Sequence, residues 1–190
     1  MIKFEEESRK KALLDVADRM MIAARTAPKG KGIDNIVAAV VGHEEIKKIS
    51  DKMIELFRDH GAHDAFHRDA ENIASSDVLV LIGTKIKPIG IPYCGLCGHK
   101  NCAEKDNYPK HPCAFNTGDL GIAVGSAVSI AMDSRVDNRL MFTAGLAARD
   151  LKILGDDVAI VYAIPLSCTS KNPFFDRVWP KKNDAGKINR

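Results

Sequence analysis

Apolar residues recur at three- and four-residue spacing along much of the chain, which is the pattern of amphipathic helices. The pattern predicts four long helices and a shorter one, over residues 9–25, 44–60, 119–132, 137–154 and 68–75. Ser8 is a suitable N-cap for the first helix, and Gly61 is a suitable stop for the second. Asp137 opens the fourth long helix, where its charge favours the N-terminal dipole.

Three shorter runs are continuously apolar, which predicts strands over residues 36–41, 78–82 and 158–164. The middle run is apolar on both faces, so it belongs in a sheet that is covered on both sides. Between residues 83 and 111 the periodicity disappears, and Gly, Pro, Cys, His and Lys dominate. These elements predict an α/β fold of the α+β type, in which helices pack on a sheet and a cysteine-rich loop is inserted in the middle.

The length of 190 residues fits one domain, and a content of 45% hydrophobic and 28% charged residues is ordinary for a folded protein. We predict a single domain over residues 1–190, with an inserted cysteine-rich loop over 84–115 and a flexible basic tail over 181–190. The formal net charge of +3 resides in that tail, because basic and acidic residues balance elsewhere. A basic tail without a basic face gives no support to nucleic-acid binding.

Neither the N-terminal residues nor the longest apolar run suggests export or membrane insertion. The first residues are acidic and are followed by no apolar stretch, unlike a secretory signal. The longest nearly apolar run, residues 120–132, is too short to cross a bilayer. The five cysteines are an odd number, which argues against a disulfide framework. We therefore predict a cytoplasmic protein with reduced thiols and no membrane partner.

Four of the five cysteines form a compact motif with the spacing C-x2-C-x4-C-x10-C, namely Cys94, Cys97, Cys102 and Cys113. A glycine follows each of the first two, which permits tight turns and leaves backbone N–H groups free to point at sulfur. Four thiolates in one loop are the ligand set of a [4Fe–4S] cluster. Five lysines against two acidic residues between residues 85 and 113 would offset the negative charge of such a cluster and raise its reduction potential.

Zinc is the alternative metal, because it also takes four thiolates, and His99 or His111 can replace one of them. In that case the loop would be a structural or protein-interaction module without catalysis. The thiols can also be unligated. The single C-x2-C pair favours iron–sulfur, since zinc knuckles usually supply two such pairs. Cys168 stands apart, and a buried small side chain is its expected role, with a spare-ligand or thiol role left open.

The segment Cys94-Gly-Leu-Cys97-Gly-His-Lys-Asn-Cys102 resembles the start of the four-cysteine [4Fe–4S] domain of corrinoid iron–sulfur proteins and of certain membrane electron-transfer subunits. Taken whole, the chain resembles a family of prokaryotic proteins described as containing a ferredoxin domain. The supporting segments are this loop and residues 25–32, 136–142 and 164–177. The resemblance implies a redox protein with an iron–sulfur cluster.

The order of elements also resembles that of the nitroreductase-like flavoproteins, with Ala24-Arg25-Thr26-Ala27-Pro28 at the turn after the first helix. This resemblance implies a helix–sheet sandwich, FMN as a cofactor, and a homodimer with FMN at the subunit interface. The chain has Ser8-Arg9-Lys10-Lys11 where these flavoproteins carry an Arg-x-Ser-x-Arg-like phosphate contact.

Lysines and glycines after the first helix can hold a phosphate, because ammonium groups and flexible backbone N–H groups both bind anions. The alternative is a helix C-cap followed by a solvated basic turn. Two further cations flank the last loop and can reach a phosphate. The candidate cofactor contacts are Arg25, Lys29, Gly30, Lys31, Lys171 and Arg177.

The expected function is that of an oxidoreductase that passes electrons between a ferredoxin-like donor and a flavin or small-molecule acceptor. Its partners would be an electron-transfer protein or a small redox substrate, and a second copy of the chain. No catalytic residue is identified by the sequence.

Overall fold

The computed structural model describes residues 2–175. Its helices are α1 (Glu6–Thr26), α2 (His43–His60), α3 (Ala65–Ala74), α4 (Cys102–Asp106), α5 (Ala114–Asp133) and α6 (Phe142–Asp150). Its strands are β1 (Ile36–Val41), β2 (Val78–Lys85), β3 (Asp137–Asn138) and β4 (Val158–Ser167). The predicted basic tail over residues 181–190 lies outside the described residues.

The four strands form one antiparallel sheet in the order β1-β2-β4-β3. Strand β2 lies inside the sheet, and Val80 pairs with Val40 on one side and Ile164 on the other. Since side chains alternate along a strand, Val80 and Leu81 point to opposite faces of the sheet, and both are fully buried. The prediction of a strand covered on both faces is confirmed.

Two apolar cores lie on the two faces of this sheet. The first contains Leu13 and Met20 of α1 and Leu120 of α5 together with Val80. The second contains residues of α2, α3 and α6 together with Leu81. Helix α6 lies so close to β4 that a Cβ at Gly145 would be 2.0 Å from the carbonyl oxygen of Val161. The α+β sandwich expected from the periodicity is therefore the observed architecture.

The predicted helix over residues 137–154 is wrong in its first part. Asp137 pairs with Ser167 as part of the short edge strand β3. Met141 and Ala163 exchange backbone hydrogen bonds of 2.8 and 3.0 Å, so the chain follows the sheet edge until α6 begins. Arg139, which was expected near a helix start, instead donates to the carbonyl of Phe174 at 2.9 Å. Tertiary pairing with β4 outweighs the local helical pattern here.

Two helix starts also differ from the prediction. Helix α1 begins at Glu6, so Ser8 lies within its first turn and does not cap it; acidic residues in that turn suit the helix dipole. Helix α5 begins at Ala114, five residues before the predicted start, because Cys113 is its N-cap. The predicted stop at Gly61 is confirmed, and this glycine has a left-handed φ of 65°. Among residues 2–175, no helix has the length and apolar character needed to span a membrane.

Candidate metal centre and adjoining groove

The four cysteines of the motif line one narrow, largely enclosed cavity, which we call the cysteine cavity. Its volume is about 10 Å³. Cys94 and Cys97 lie in turns, Cys102 is the first residue of α4, and Cys113 is the N-cap of α5. Cys113 is buried and the other three are partly exposed. The fold therefore brings Cys102 and Cys113 to the same cavity, although ten residues separate them in the sequence.

Tight turns bring the first two cysteines to this cavity. Cys94 lies between Tyr93 and Gly95, which have positive φ angles of 53° and 69°. Gly98, with a φ of 83°, donates its N–H to the carbonyl of Gly95 at 3.0 Å. Glycine adopts this left-handed conformation without a steric penalty. The turns expected at the two glycines of the motif are thus present.

Asn116 ties the two ends of the cysteine loop together. Its side-chain N–H donates to the carbonyl of Lys87 at 2.9 Å, and its side-chain oxygen accepts from the backbone N–H of Lys87 at 3.0 Å. The same oxygen accepts from the N–H of Cys113 at 3.3 Å. Asn116 is buried, and these bonds stand in for hydrogen bonds to water that its amide loses on burial. Asn116 therefore positions Cys113 at the N-terminus of α5.

The two histidines of the loop are engaged with each other and not with the cysteines. His99 Nε2 lies 3.2 Å from His111 Nδ1, and both rings stack on Tyr108 with centroids 5.0 Å away. No histidine of the described chain lines the cysteine cavity. Within residues 2–175, no three His, Cys, Asp or Glu side chains converge closely enough to form a site for a single metal ion.

The cations predicted to bind phosphate have partners inside the chain. Lys29 Nζ donates to the carbonyl of Ala24 at 2.8 Å and to the carbonyl of Arg25. The Lys29 side chain thereby caps the C-terminus of α1. Arg25 pairs with Asp34 at 2.6 Å and donates to the carbonyl of Ile36 at 3.1 Å. Burial raises the pKa of the Asp34 carboxyl, but hydrogen bonds from Arg25 and the Ile36 N–H outweigh it and hold that pKa below its usual value.

The turn Gly30–Gly32 docks on the cysteine loop. The Gly30 N–H donates to both carboxylate oxygens of Asp119 at 3.1 Å, and Lys31 Nζ donates to the carbonyl of Gly90 at 3.2 Å. A Cβ at Gly30 would lie 2.7 Å from both Ile89 and Phe115. Gly30 therefore serves close packing between the turn and the loop, which agrees with the helix-cap alternative for this segment.

An apolar groove, which we call the adjoining groove, lies beside the cysteine cavity and has a volume of about 400 Å³. It is lined by Pro28, Lys29, Gly30, Leu96, Ala114, Phe115, Gly118, Asp119 and Ile122. Ala114 and Phe115 line the cysteine cavity as well. One thin wall at the start of α5 thus separates the two spaces.

The remaining candidate residues lie elsewhere. Lys171 is exposed in the loop after β4 and does not line the adjoining groove, and Arg177 lies outside the described residues. Cys168 follows β4 and lines a separate cavity with Arg9, apart from the four other cysteines. Burial raises the pKa of the Cys168 thiol despite the nearby Arg9 charge, so this thiol stays protonated at neutral pH.

The sequence interpretation missed two residues of this region, Asn116 and Asp119, and it did not predict that Lys105 is buried. Lys105 lines the cysteine cavity, and Asp119 holds the Gly30 turn. One signal was available for Asn116, because an asparagine three residues after a helix N-cap can bond back to the cap. The burial of Lys105 depends on how the loop closes, and a surface lysine was the natural expectation.

Residues 110–177 match a family described as "Uncharacterized protein containing a ferredoxin domain" (DUF2148). An uncharacterized protein from Archaeoglobus fulgidus is 40% identical over 187 residues, which cover 94% of this chain and 96% of that protein. This likeness extends through the whole cysteine motif, whereas the family match includes only Cys113 among the four.

Solved structures of nitroreductases have the same fold. A nitroreductase family protein from Clostridium novyi NT has a TM-score of 0.56 at 15% identity, covering 80% of this chain and 73% of that one. A nitroreductase with bound FMN from Bacteroides fragilis has a TM-score of 0.57 at 13% identity, covering 93% and 86%. Another with bound FMN, from Desulfitobacterium hafniense, has a TM-score of 0.54 at 16% identity, covering 100% and 88%. The nitroreductase-like sandwich expected from the order of elements is confirmed.

Proposed function

This chain belongs to the family of proteins containing a ferredoxin domain, and on that premise we propose that it is an iron–sulfur redox protein. One [4Fe–4S] cluster would be held by Cys94, Cys97, Cys102 and Cys113. The observation that carries the proposal is that these four side chains line a single enclosed cavity. The loop of residues 84–115 would then be a cluster-binding insertion within a single domain.

The remaining walls of the cysteine cavity suit such a cluster. Pro88, Ile89, Ile91 and Phe115 provide apolar surface that excludes water, and solvent exposure is one of the factors that set a cluster's potential. The turns at Gly95 and Gly98 bring Cys94 and Cys97 to the same cavity. When bound, the cluster would supply one-electron transfer; the chain supplies its ligands, its dry walls and its positive surroundings.

The adjoining groove is the site we propose for an FMN ring or a small-molecule electron acceptor. Pro28, Phe115 and Ile122 give it apolar walls of the kind that receive a flat ring. Its shared wall with the cysteine cavity would place such an acceptor next to the cluster. The neighbours with bound FMN share the fold of this chain, which supports FMN as the first candidate.

For the predicted phosphate-binding residues of the turn after α1, we propose roles in holding the turn and the groove. Lys29 and Gly30 would shape the wall of the groove, because their polar groups already bond within the chain. Lys31 would tie the turn to the cysteine loop through the carbonyl of Gly90. Arg25 would hold the turn through Asp34. Contacts from Lys171 and Arg177 to an FMN phosphate stay a proposal from the sequence, and Lys171 does not line the groove.

In this proposal the protein is a homodimeric oxidoreductase that passes electrons between a ferredoxin-like donor and a flavin or small redox substrate. The outer face of α5 supports the homodimer. Gly118, Gly121 and Gly125 are exposed there with open space around them, and Ile122 and Met132 are exposed on the same helix. Small residues let two helices approach closely, and exposed apolar side chains favour burial against a partner.

The visible absorption spectrum of the protein purified without oxygen tests this function. The wild type should show the broad absorption of an iron–sulfur cluster, and bound flavin would add its own bands. Cys102→Ala should lose the cluster absorption because one of four thiolate ligands is removed. Cys168→Ala is the matched control, and it should keep the wild-type spectrum. A colourless wild type that contains zinc and unfolds with a chelator would instead support a structural zinc module.

A further inference from the structure

Two exposed apolar side chains, Tyr93 and Leu96, lie at the end of the cysteine loop, and we call this pair the loop tip. Tyr93 is fully exposed, and Leu96 is 69% exposed. They directly precede Cys94 and Cys97, which line the cysteine cavity. Apolar side chains that stand in water beside a functional cavity indicate a contact surface, because a bound partner removes them from water.

The backbone conformation of Tyr93 supports a role for its ring outside the chain. Its φ of 53° lies in the left-handed region, which bulky residues rarely adopt because Cβ crowds the following carbonyl oxygen. The ring does not fill the core, since it is fully exposed. Strained residues that do not serve packing cluster at functional sites. The turn before Cys94 therefore presents an aromatic ring to solvent at a cost in backbone strain.

Two lysines flank the loop tip. Lys31 Nζ donates to the carbonyl of Gly90 at 3.2 Å, on the segment that leads into the tip. Lys100 lies on the other side, because the carbonyl of the preceding His99 would be 3.4 Å from a Cβ at Gly95. Both lysines are exposed. Positive charge thus lies on both sides of the exposed apolar pair.

Few acidic groups offset this charge. Residues 78–103 contain no Asp or Glu. The carboxylate of Glu104 accepts from the backbone N–H of Lys100, and Asp119 is buried and accepts from the N–H of Gly30. The segment that carries the loop tip is therefore positive. A partner with an acidic surface complements it.

We propose that the loop tip, flanked by Lys31 and Lys100, is the docking surface for an acidic electron-transfer protein. The inference rests on the function proposed above and names the surface that the electron donor would contact. One electron would leave the reduced partner, which is thereby oxidised, and reduce the oxidised cluster. Docking here would place the partner next to Cys94 and Cys97, so the path of the electron is short. Tyr93 would be the apolar anchor, and the lysines would steer the approach.

Three variants and a control separate the anchor from the charges. Tyr93→Asn removes the ring, and asparagine adopts left-handed φ more readily than tyrosine, so the loop should fold at least as well. Tyr93→Phe keeps the ring. A double variant, Lys31→Gln with Lys100→Gln, removes both charges but keeps an N–H donor for the carbonyl of Gly90. Lys10→Gln is the matched control, because Lys10 is exposed on α1, roughly 24 Å before the end of that helix.

The main measurement is a calorimetric titration with an oxidised acidic [2Fe–2S] ferredoxin, at low salt and at roughly 0.5 M salt. Tyr93→Asn should weaken binding about tenfold at both salt concentrations, since the lost contact is apolar. The double lysine variant should weaken binding about fivefold at low salt and less than about twofold at high salt, because salt screens exposed charges. Tyr93→Phe and Lys10→Gln should bind like the wild type.

The rate of electron transfer is measured by rapid mixing of the same proteins, whose visible spectra differ. Tyr93→Asn should slow reduction of the cluster by reduced ferredoxin. Its reduction by dithionite should proceed at the wild-type rate, since this small reductant needs no docking surface.

Iron and acid-labile sulfide measured on the same samples distinguish the two proposals. A wild type without sulfide overturns the proposed function, and the docking surface with it. A wild type that holds the cluster but does not bind the acidic ferredoxin, or binds a basic redox protein as tightly, overturns the docking surface alone. The same holds if Tyr93→Asn binds like the wild type, or if it turns a dimer into a monomer, which would make the loop tip a contact between two copies of the chain.

Discussion

At the scale of single residues, the cysteine loop depends on a few buried polar side chains. Asn116 joins Lys87, at the beginning of the loop, to Cys113 at its end. Its amide makes the paired hydrogen bonds that a neighbouring strand would make. Removal of such a group leaves buried backbone donors and acceptors without partners, and this costs more than the bonds themselves contribute.

We expect Asn116→Ala to lower the free energy of unfolding by about 1–3 kcal/mol and to reduce the iron retained after purification. The stability and iron content of Asn116→Asp should lie between those of the wild type and Asn116→Ala. This variant keeps the acceptor for the N–H groups of Lys87 and Cys113 but loses the donor to the Lys87 carbonyl. Urea denaturation and iron analysis measure both effects. Wild-type stability in Asn116→Ala would show that the loop ends are held in another way.

Asp34 gives the protein a pH dependence of known sign. Burial alone would raise its pKa, but the hydrogen bonds from Arg25 and the Ile36 N–H lower the pKa by more than burial raises it. The net shift of the pKa is therefore downward. A lowered carboxyl pKa in the folded state contributes stability above the unfolded pKa, and this contribution is lost as the pH falls through the folded value. The relevant window therefore lies below about pH 4.

In thermal unfolding between pH 6 and pH 3, roughly the window set by aspartate, the wild type should lose more stability than Asp34→Asn. Asp51→Asn is a suitable control, because Asp51 pairs with Lys47 on the exposed surface of α2. The pH profile of the stability of Asp51→Asn should match that of the wild type. Parallel profiles for the wild type and Asp34→Asn would contradict a stabilising role for the paired carboxylate.

The residues that the sequence could identify are those whose role is local. The four cysteines and the turn glycines beside them follow directly from spacing and from the conformational freedom of glycine. Asn116 has a role that depends on a contact closed by the whole loop, namely its bond to Lys87, 29 residues away. Long-range closure of this kind leaves no periodic signal in the sequence.

At the scale of secondary-structure elements, α5 has two different faces. Leu120, Ala123 and Ala127 are buried in the first core, while Gly121 and Gly125 face outward. Since the outer glycines meet no other atoms of this chain within 4 Å, a larger side chain would fit in the monomer. The outward face is therefore free to take part in the proposed dimer without a change in the packing of the monomer.

We predict that Gly125→Arg shifts the protein from a dimer to a monomer in size-exclusion chromatography with light scattering. A long charged side chain would separate two helices that pack face to face. Gly125→Ala should keep the dimer and stabilise it slightly, because alanine is the better helix former by about 1 kcal/mol. A monomeric wild type, or an unchanged dimer in Gly125→Arg, would rule out assembly through this face.

Elements with a single strong pattern were predicted well, and elements decided by pairing were not. Strand β1 has the predicted bounds, and α2 begins one residue earlier than predicted. Strands β2 and β4 extend beyond their apolar cores because Lys85 pairs with Val158 and Val78 with Leu166. The edge strand β3 was predicted as helix, since two residues pairing with β4 cannot be distinguished from a helix start by sequence alone.

At the scale of the whole molecule, the two candidate sites lie where three parts of the chain meet. The turn after α1, the cysteine loop that follows β2, and the start of α5 together enclose the cysteine cavity and the adjoining groove. Both cores lie elsewhere, on the two faces of the sheet. A nitroreductase-like sandwich thus carries the cysteine loop at one edge, beside the groove we propose for the acceptor.

The metal content of the protein purified without oxygen decides between a cluster and a single ion in the cysteine cavity. Iron, zinc and acid-labile sulfide can be counted per chain on one sample. A [4Fe–4S] cluster on Cys94, Cys97, Cys102 and Cys113 requires about four iron atoms and about four sulfides per chain, with no zinc. About one zinc ion per chain without sulfide would contradict the iron–sulfur function.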